Sequence, residues 1–230
     1  ILPACDDPTF IVNEAFMAQS RILSGYKAHP HLLKDRFSEA KTPAHAAISL
    51  AGEPTLYPKL GALIEEFRRR GLTTFLVTNG TQPDVLSVLD HEPSQLYVSV
   101  CAPEEDVFLQ ACRPSISKAW QQLLGTLDLM KSFSCPTVIR LTLVKDLNML
   151  SSESYGKLIL KANPTYVEAK AYVHVGMSRL RLGFENMPTH REIVEFSREL
   201  SEATGYKIID ESTASRVVLL SRLERPKRIA

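Results

Sequence analysis

The chain has 230 residues, 44% of them apolar, which is enough to bury a large core as one barrel-sized domain or two smaller ones and excludes a disordered polypeptide. Lys and Arg number 27 against 26 Asp and Glu, so the formal charge is only +1 and any nucleic-acid surface has to be a local patch. No run of about eighteen apolar residues exists, and the stretch from Ile1 to Asp7 is too short and acidic for a secretory signal; a cytoplasmic protein without a membrane partner is expected.

An α-helix is expected from about Pro8 to Leu23, after the start signal Asp6-Asp7-Pro8, followed by a polar connection. Strand-like and helix-like segments then alternate, the pattern of a parallel sheet. The first strand, His45 to Ala51, reads as apolar and buried on both faces. It runs into Gly52, Glu53 and Pro54, a loop that invites a ligand to the backbone and sets one carboxylate at the strand's carboxyl end. Such an acid suits a ligand ammonium; it equally suits an Arg or Lys from a neighbouring strand, or a cap on the next helix.

That helix is expected over about Tyr57–Arg70, stopped by Gly71, with Leu60, Leu63, Ile64 and Phe67 at helical spacing. A second strand, Thr73–Thr78, ends at Asn79-Gly80, a pair suited to a tight loop. A short helix over Asp84–Leu89 precedes the third strand, Gln95–Val100, and helical segments broken at Pro114 run to about Phe133. The fourth strand is Thr137–Val144, then a helix near Ser154–Ala162 and a fifth strand, Tyr166–Val175, whose end carries Lys170, His174 and Gly176. A loop over Met177–Met187 holds Arg179 and Arg181. The capping box Thr189-His190-Arg191-Glu192 opens a helix to about Thr204, and two short strands, Lys207–Asp210 and Arg216–Ser221, follow.

Units of roughly thirty residues favour an αβ barrel, complete or partial, with an open doubly wound sheet as the alternative; both place ligands at the carboxyl ends of parallel strands. Polar residues recur at those ends: Ser49 and Glu53, Asn79, Ser99, Arg140 with Thr142, and Glu168 with Lys170. They offer an acid for an ammonium, Arg140 or Lys170 for a carboxylate, and hydroxyls or amides for a ribose and a base, a set that fits an amino-acid nucleoside. The four cysteines, Cys5, Cys101, Cys112 and Cys135, are dispersed without a close pair, which fits neither a disulfide scaffold nor a zinc site.

Several segments resemble the radical S-adenosylmethionine (SAM) enzymes, and among them the archaeal-type tRNA 4-demethylwyosine synthases of wybutosine biosynthesis. They are Asp6 to Pro8, Ser49 to Pro58, Thr73 to Gly80, Gln95 to Ser99, Cys112-Arg113-Pro114, Ser132 to Lys145 with Asn148-Met149, Val167 to Ser178, and Glu185 to His190. The resemblance implies a partial (βα)6 TIM-like barrel, one domain over residues 1–230 with a C-terminal extension from about residue 189. It implies that Gly52, Glu53 and Pro54 meet the methionine amino group of SAM, with Asn79, Ser99, Arg140 and Thr142 around the rest of the cofactor. The implied reaction is that of a carbon–carbon lyase: [4Fe–4S] clusters and an electron donor cleave SAM, and the radical builds 4-demethylwyosine from N1-methylguanosine beside the tRNA anticodon and pyruvate.

The cluster-binding cysteines of the pattern would precede Asp6 and are not in this sequence, so the chain reads as an N-terminally truncated portion, inactive alone, with its catalytic residues expected upstream of Ile1 and no metal ligands of its own. Cys101 stands where the pattern has Asp, Ala51 where it has Ser, and Asp146 where Gly is common. Arg179 and Arg181, with Arg222, Arg225, Lys227 and Arg228 of the tail, are candidate phosphate contacts. Two rival readings keep the fold: a noncatalytic RNA-binding relic, and a radical SAM enzyme acting on another substrate.

Overall fold

A computed structural model describes residues 5–49, 52–227 and 229. Five strands, β1 (His45–Ile48), β2 (Thr73–Thr78), β3 (Gln95–Ser99), β4 (Thr137–Leu143) and β5 (Tyr166–Ala171), pair in parallel. An antiparallel hairpin, β6 (Lys207–Ser212) and β7 (Val217–Ser221), joins through β7 to β5, giving the order β1-β2-β3-β4-β5-β7-β6. The helices are α1 (Pro8–Ser24), α2 (Lys34–Ala40), α3 (Leu60–Arg69), α4 (Pro83–Ser87), α5 (Glu105–Cys112), α6 (Ala119–Leu129), α7 (Ser152–Ala162) and α8 (His190–Thr204).

Side-chain alternation makes the two faces of this sheet unequal. Leu76, Leu96, Val98, Ile139, Leu141, Val167 and Ala169 bury one face in a single core with Ile64, Leu123, Leu127, Ile159 and Ile193 from the helices. The register puts Tyr97, Ser99, Arg140, Thr142, Glu168 and Lys170 on the other face, which is only half-buried. A parallel α/β sheet with helices against one face is the partial-barrel architecture expected, and its open face carries the polar residues.

Four expectations change. The first strand does not bury both faces: among the described residues β1 is an edge strand in which His45 and Ala47 are exposed and Ala46 and Ile48 half-buried. Its expected end, Leu50 and Ala51, lies outside the described residues. The helix after Gly52 starts at Leu60 rather than Tyr57, because the residue before Pro58 is held extended (φ −78°, ψ 116°) after a 3₁₀ turn over Pro54–Leu56. β5 ends at Ala171, where the Tyr172 amide turns to the Leu143 carbonyl, and the expected loop beyond contains 3₁₀ turns over Gly176–Leu180 and Phe184–Asn186. The connection before β1 contains α2, whose N-cap, Leu33, makes no side-chain cap.

Candidate functional site

Gly52 adopts φ +81°, and a Cβ there would meet nothing within 4 Å, so its backbone angle, rather than a shortage of space, calls for glycine. The turn delivers Glu53 to the end of β2. Its Oε1 accepts from the Thr55 amide (3.1 Å), the Thr55 hydroxyl (2.7 Å) and the Thr78 hydroxyl (2.6 Å), and its Oε2 from the Asn79 amide (2.8 Å). The carboxylate is held by its own chain through both oxygens. It is a brace that locks the Gly52–Pro54 turn onto β2, with Oε2 carrying the single hydrogen bond.

Asn79 turns its amide oxygen to the amide and hydroxyl of Thr81, at 2.9 and 2.7 Å, which shapes the loop after β2. Ser49 lies exposed just past β1, and Ser99 sits half-buried directly across from Arg140.

Arg140 is paired with Glu168 on the neighbouring strand. Nε to Oε1 is 2.8 Å and Nη2 to Oε2 is 3.3 Å, a two-point pair, and the guanidinium lies over the Tyr97 ring at 4.5 Å. The side chains are 29% and 15% exposed. Lys170, one alternation further along β5 and across from Thr142, makes no ion pair with another described residue, so it is the cation this face leaves for an anion.

Beyond β3, β4 and β5 a cavity of about 390 Å³ opens, lined by Cys101, Cys112, Thr142, Asp146, Tyr172 and Arg181 among others. The buried Asn148 holds its floor. Its Nδ2 donates to the Cys101 and Thr142 carbonyls, both at 2.8 Å, and its Oδ1 accepts from the Val144 amide at 2.6 Å, tying the ends of β3 and β4 together. Asp146, at φ +61°, makes the left-handed turn that places it, which accounts for glycine being common in the family pattern.

Arg222 is engaged within the fold, donating to Asn163 Oδ1 at 2.7 Å and stacking over Tyr206 at 4.8 Å. Cys101 and Cys112 both line the cavity beyond β3 to β5. Arg179 and Arg181 are both exposed, and Arg181 reaches the cavity rim; Arg225 and Lys227 are exposed, and Arg228 lies outside the described residues. Sequence reasoning missed Glu168 as the answer to Arg140, and Asn148 as the clamp. The period-two spacing that put Arg140 and Glu168 on adjacent strands was legible, but not their register.

A family model described as radical SAM superfamily matches residues 24–158, and one described as wyosine base formation matches residues 161–222. The S-adenosyl-L-methionine-dependent tRNA 4-demethylwyosine synthase of Pyrococcus horikoshii is 52% identical over 221 residues, covering 94% of this chain and 65% of the relative. That of Methanocaldococcus jannaschii is 38% identical over 97% of this chain and 70% of its own length. This chain belongs to the tRNA 4-demethylwyosine synthase family of radical SAM proteins. A solved TYW1 structure with a lysine-pyruvate adduct bound superposes with TM-score 0.88 at 37% identity, covering 99% of this chain and 73% of that one. The chain thus spans 65% of the length of the Pyrococcus relative and 34% of that of its relative in Oryza sativa.

The family implies SAM and an iron–sulfur cluster. The open face fits an amino-acid nucleoside: hydroxyls at Ser99 and Thr142, an uncommitted ammonium at Lys170, and a braced turn at Gly52–Pro54. Among the described residues no three His, Cys, Asp or Glu side chains gather as metal ligands, and no step is derived through the cluster.

Proposed function

We propose that this chain is the SAM-binding part of a tRNA-modifying radical lyase, which makes 4-demethylwyosine from N1-methylguanosine in tRNA and pyruvate with an electron donor, in the cytoplasm. One domain carries the site, with the region from about residue 189 as its C-terminal extension. The observation that carries the reading is the convergence of the Gly52–Pro54 turn, Asn79, Ser99, Thr142 and Lys170 on the carboxyl edge of five parallel strands, on the face that helices leave open.

In this reading the cofactor lies along that edge. The Gly52–Pro54 turn and Glu53 Oε2 meet the methionine ammonium, the Lys170 ammonium meets the methionine carboxylate, and Ser49, Asn79, Ser99 and Thr142 bond the ribose and base. Arg140 acts indirectly: paired to Glu168, it holds the floor on which the cofactor rests. The cofactor and its reducing centre supply the radical, while the protein's task is to fix the reactive carbon beside the base. Lysine–pyruvate chemistry in the TYW1 relative supports pyruvate as the two-carbon source. Arg181 at the cavity rim and the exposed Arg179 would take tRNA phosphates in this reading, in a loop that also exposes Met177, Leu180 and Phe184.

The test uses the full-length, cluster-loaded protein with SAM, pyruvate, a reductant and N1-methylguanosine-containing tRNA. Mass spectrometry of the digested tRNA is expected to reveal the tricyclic nucleoside only when all components are present. SAM cleavage without any change to the tRNA would refute the proposed substrate.

A further inference from the structure

The segment after β5 carries the densest exposed apolar surface among the described residues: Val173, Val175, Met177, Leu180 and Phe184 all reach solvent within a stretch of twelve. Arg179 and Arg181 stand among them, both exposed and neither in an ion pair with another described residue, and residues 173–184 include no Asp or Glu. A single exposed apolar side chain is ordinary, but a cluster of them marks a binding surface. Apolar groups interleaved with unpaired cations are complementary to a partner that presents flat apolar faces on an anionic backbone, which is the chemistry of single-stranded nucleic acid.

One ring of this cluster is braced from behind. Phe184 is 68% exposed, yet His174 meets it with ring centroids 6.2 Å apart at 81°. The half-buried His174 in turn meets the buried Tyr172 at 85°, its Nδ1 3.3 Å from the Tyr172 hydroxyl oxygen. That hydroxyl donates to Ser178 Oγ at 2.9 Å, and the Ser178 hydroxyl donates to the Val175 carbonyl at 2.6 Å. The tautomer with its proton on Nδ1 lets His174 donate to the Tyr172 oxygen and completes the chain. Whichever ring supplies the edge, His174 leaves at least one face of Phe184 uncovered. Tyr172, Ser178 and Arg181 also line the cavity beyond β3 to β5 whereas His174 and Phe184 do not, so the braced ring stands beside the cavity rather than in it.

We propose that Phe184, braced by His174, is a stacking platform for an unpaired nucleobase of the RNA substrate, a base other than the one that reacts, and that Arg179 and Arg181 take the phosphates beside it. The inference rests on the RNA reading above and deepens it by assigning the residues that grip the loop outside the cavity. A ring already fixed through Tyr172 and Ser178 gives up little freedom when a base lands on it, so more of the stacking energy reaches the affinity. Stacking tolerates any base, because every base has a flat face. The platform therefore supplies affinity and register, and the choice of the reacting base is left to the cavity.

The full-length, cluster-loaded protein is titrated with an anticodon stem-loop RNA carrying N1-methylguanosine, over a range of salt concentrations. Phe184→Leu keeps an apolar side chain and removes the π-face; it is expected to weaken RNA binding about tenfold and to raise KM for the RNA more than it lowers kcat, with the urea midpoint unchanged. Phe184→Trp is expected to retain the affinity, and its indole to be quenched by the RNA beyond any change in wild type. The slope of log affinity against log salt should stay as it is in Phe184→Leu and fall by about 0.7–1 in Arg181→Gln. Wild-type protein that binds and converts the RNA while Phe184→Leu binds it equally well would overturn the platform alone, as would Phe184→Leu sparing RNA and weakening a protein electron donor instead. Phe184→Trp as weak as Phe184→Leu, with no quench, would overturn stacking as the contact. Wild-type protein that binds no RNA would refute the tRNA reading and the platform together.

Discussion

Replacing Arg140 by Met separates the two roles an arginine on this face could play. The guanidinium makes two bonds to Glu168 and covers Tyr97, with the pair 29% and 15% exposed. Breaking a fully buried pair costs about 3–5 kcal/mol and a surface pair about 0–1, so a partly solvated pair of this kind should cost about 2 kcal/mol. Loss of the cation over the ring adds about 0.5–1. Removing Glu168 instead leaves a cation that still has Tyr97 and some water, so Glu168→Leu should cost less, about 1–2 kcal/mol. The double variant should recover a coupling of about 1 kcal/mol relative to the sum. Urea unfolding of the full-length protein and its variants at pH 7 measures each term. Additive losses, or a loss below about 0.5 kcal/mol for Arg140→Met, would refute the pairing as the reason Arg140 sits there. A companion titration sharpens the point: Lys170→Met is expected to weaken SAM binding more than Arg140→Met does.

Glu53→Gln should destabilise the protein by about 1–2 kcal/mol and weaken SAM binding, because an amide cannot accept from both Thr78 and Asn79; unchanged urea midpoint and affinity would contradict it. Asn148→Ala leaves the Cys101 and Thr142 carbonyls and the Val144 amide without a partner and should cost about 2–3 kcal/mol, read by the same unfolding curve. Acid should weaken the fold through Glu92 and Glu192. Burial raises the Glu92 carboxyl, but bonds from the Ser134 hydroxyl and the Cys135 and Ser134 amides outweigh it; the Thr189 amide and hydroxyl, with Lys145, hold Glu192 down against its burial. Both folded values lie below the ordinary glutamate value of about 4.3, so their stabilisation is present above that pH and is lost as pH falls through the folded values. Glu92→Gln should flatten that acid limb, and an unchanged slope would count against the assignment.

Features set by neighbours in sequence were legible. The Thr189–Glu192 capping box forms as its spacing dictates, with Thr189 accepting from the Glu192 amide and Glu192 from the Thr189 amide. Strands β2 to β4 lie within a residue of their expected ends, because β-branched and apolar runs between Gly, Pro and Asn leave few other options. α2 was hidden because seven residues carry little periodicity and no side-chain cap. The site was legible as a list of residue types at strand ends, and the strands do carry them to one edge. Who answers whom was not: Arg140 and Glu168 are 28 residues apart, and only the β4–β5 register makes them partners. That Cys101 and Cys112 line one cavity likewise depends on the tertiary fold, which spacing does not encode.

Hydrogen exchange of the full-length, cluster-loaded protein, with and without SAM, tests most directly whether the cofactor occupies the open carboxyl edge. Slower exchange is expected in peptides spanning Gly52 to Tyr57, Asn79 to Thr81, Ser99 to Cys101 and Arg140 to Leu143, with α1 and α2 unchanged. Protection confined to α1 and α2, or to the β6–β7 hairpin, would contradict the account.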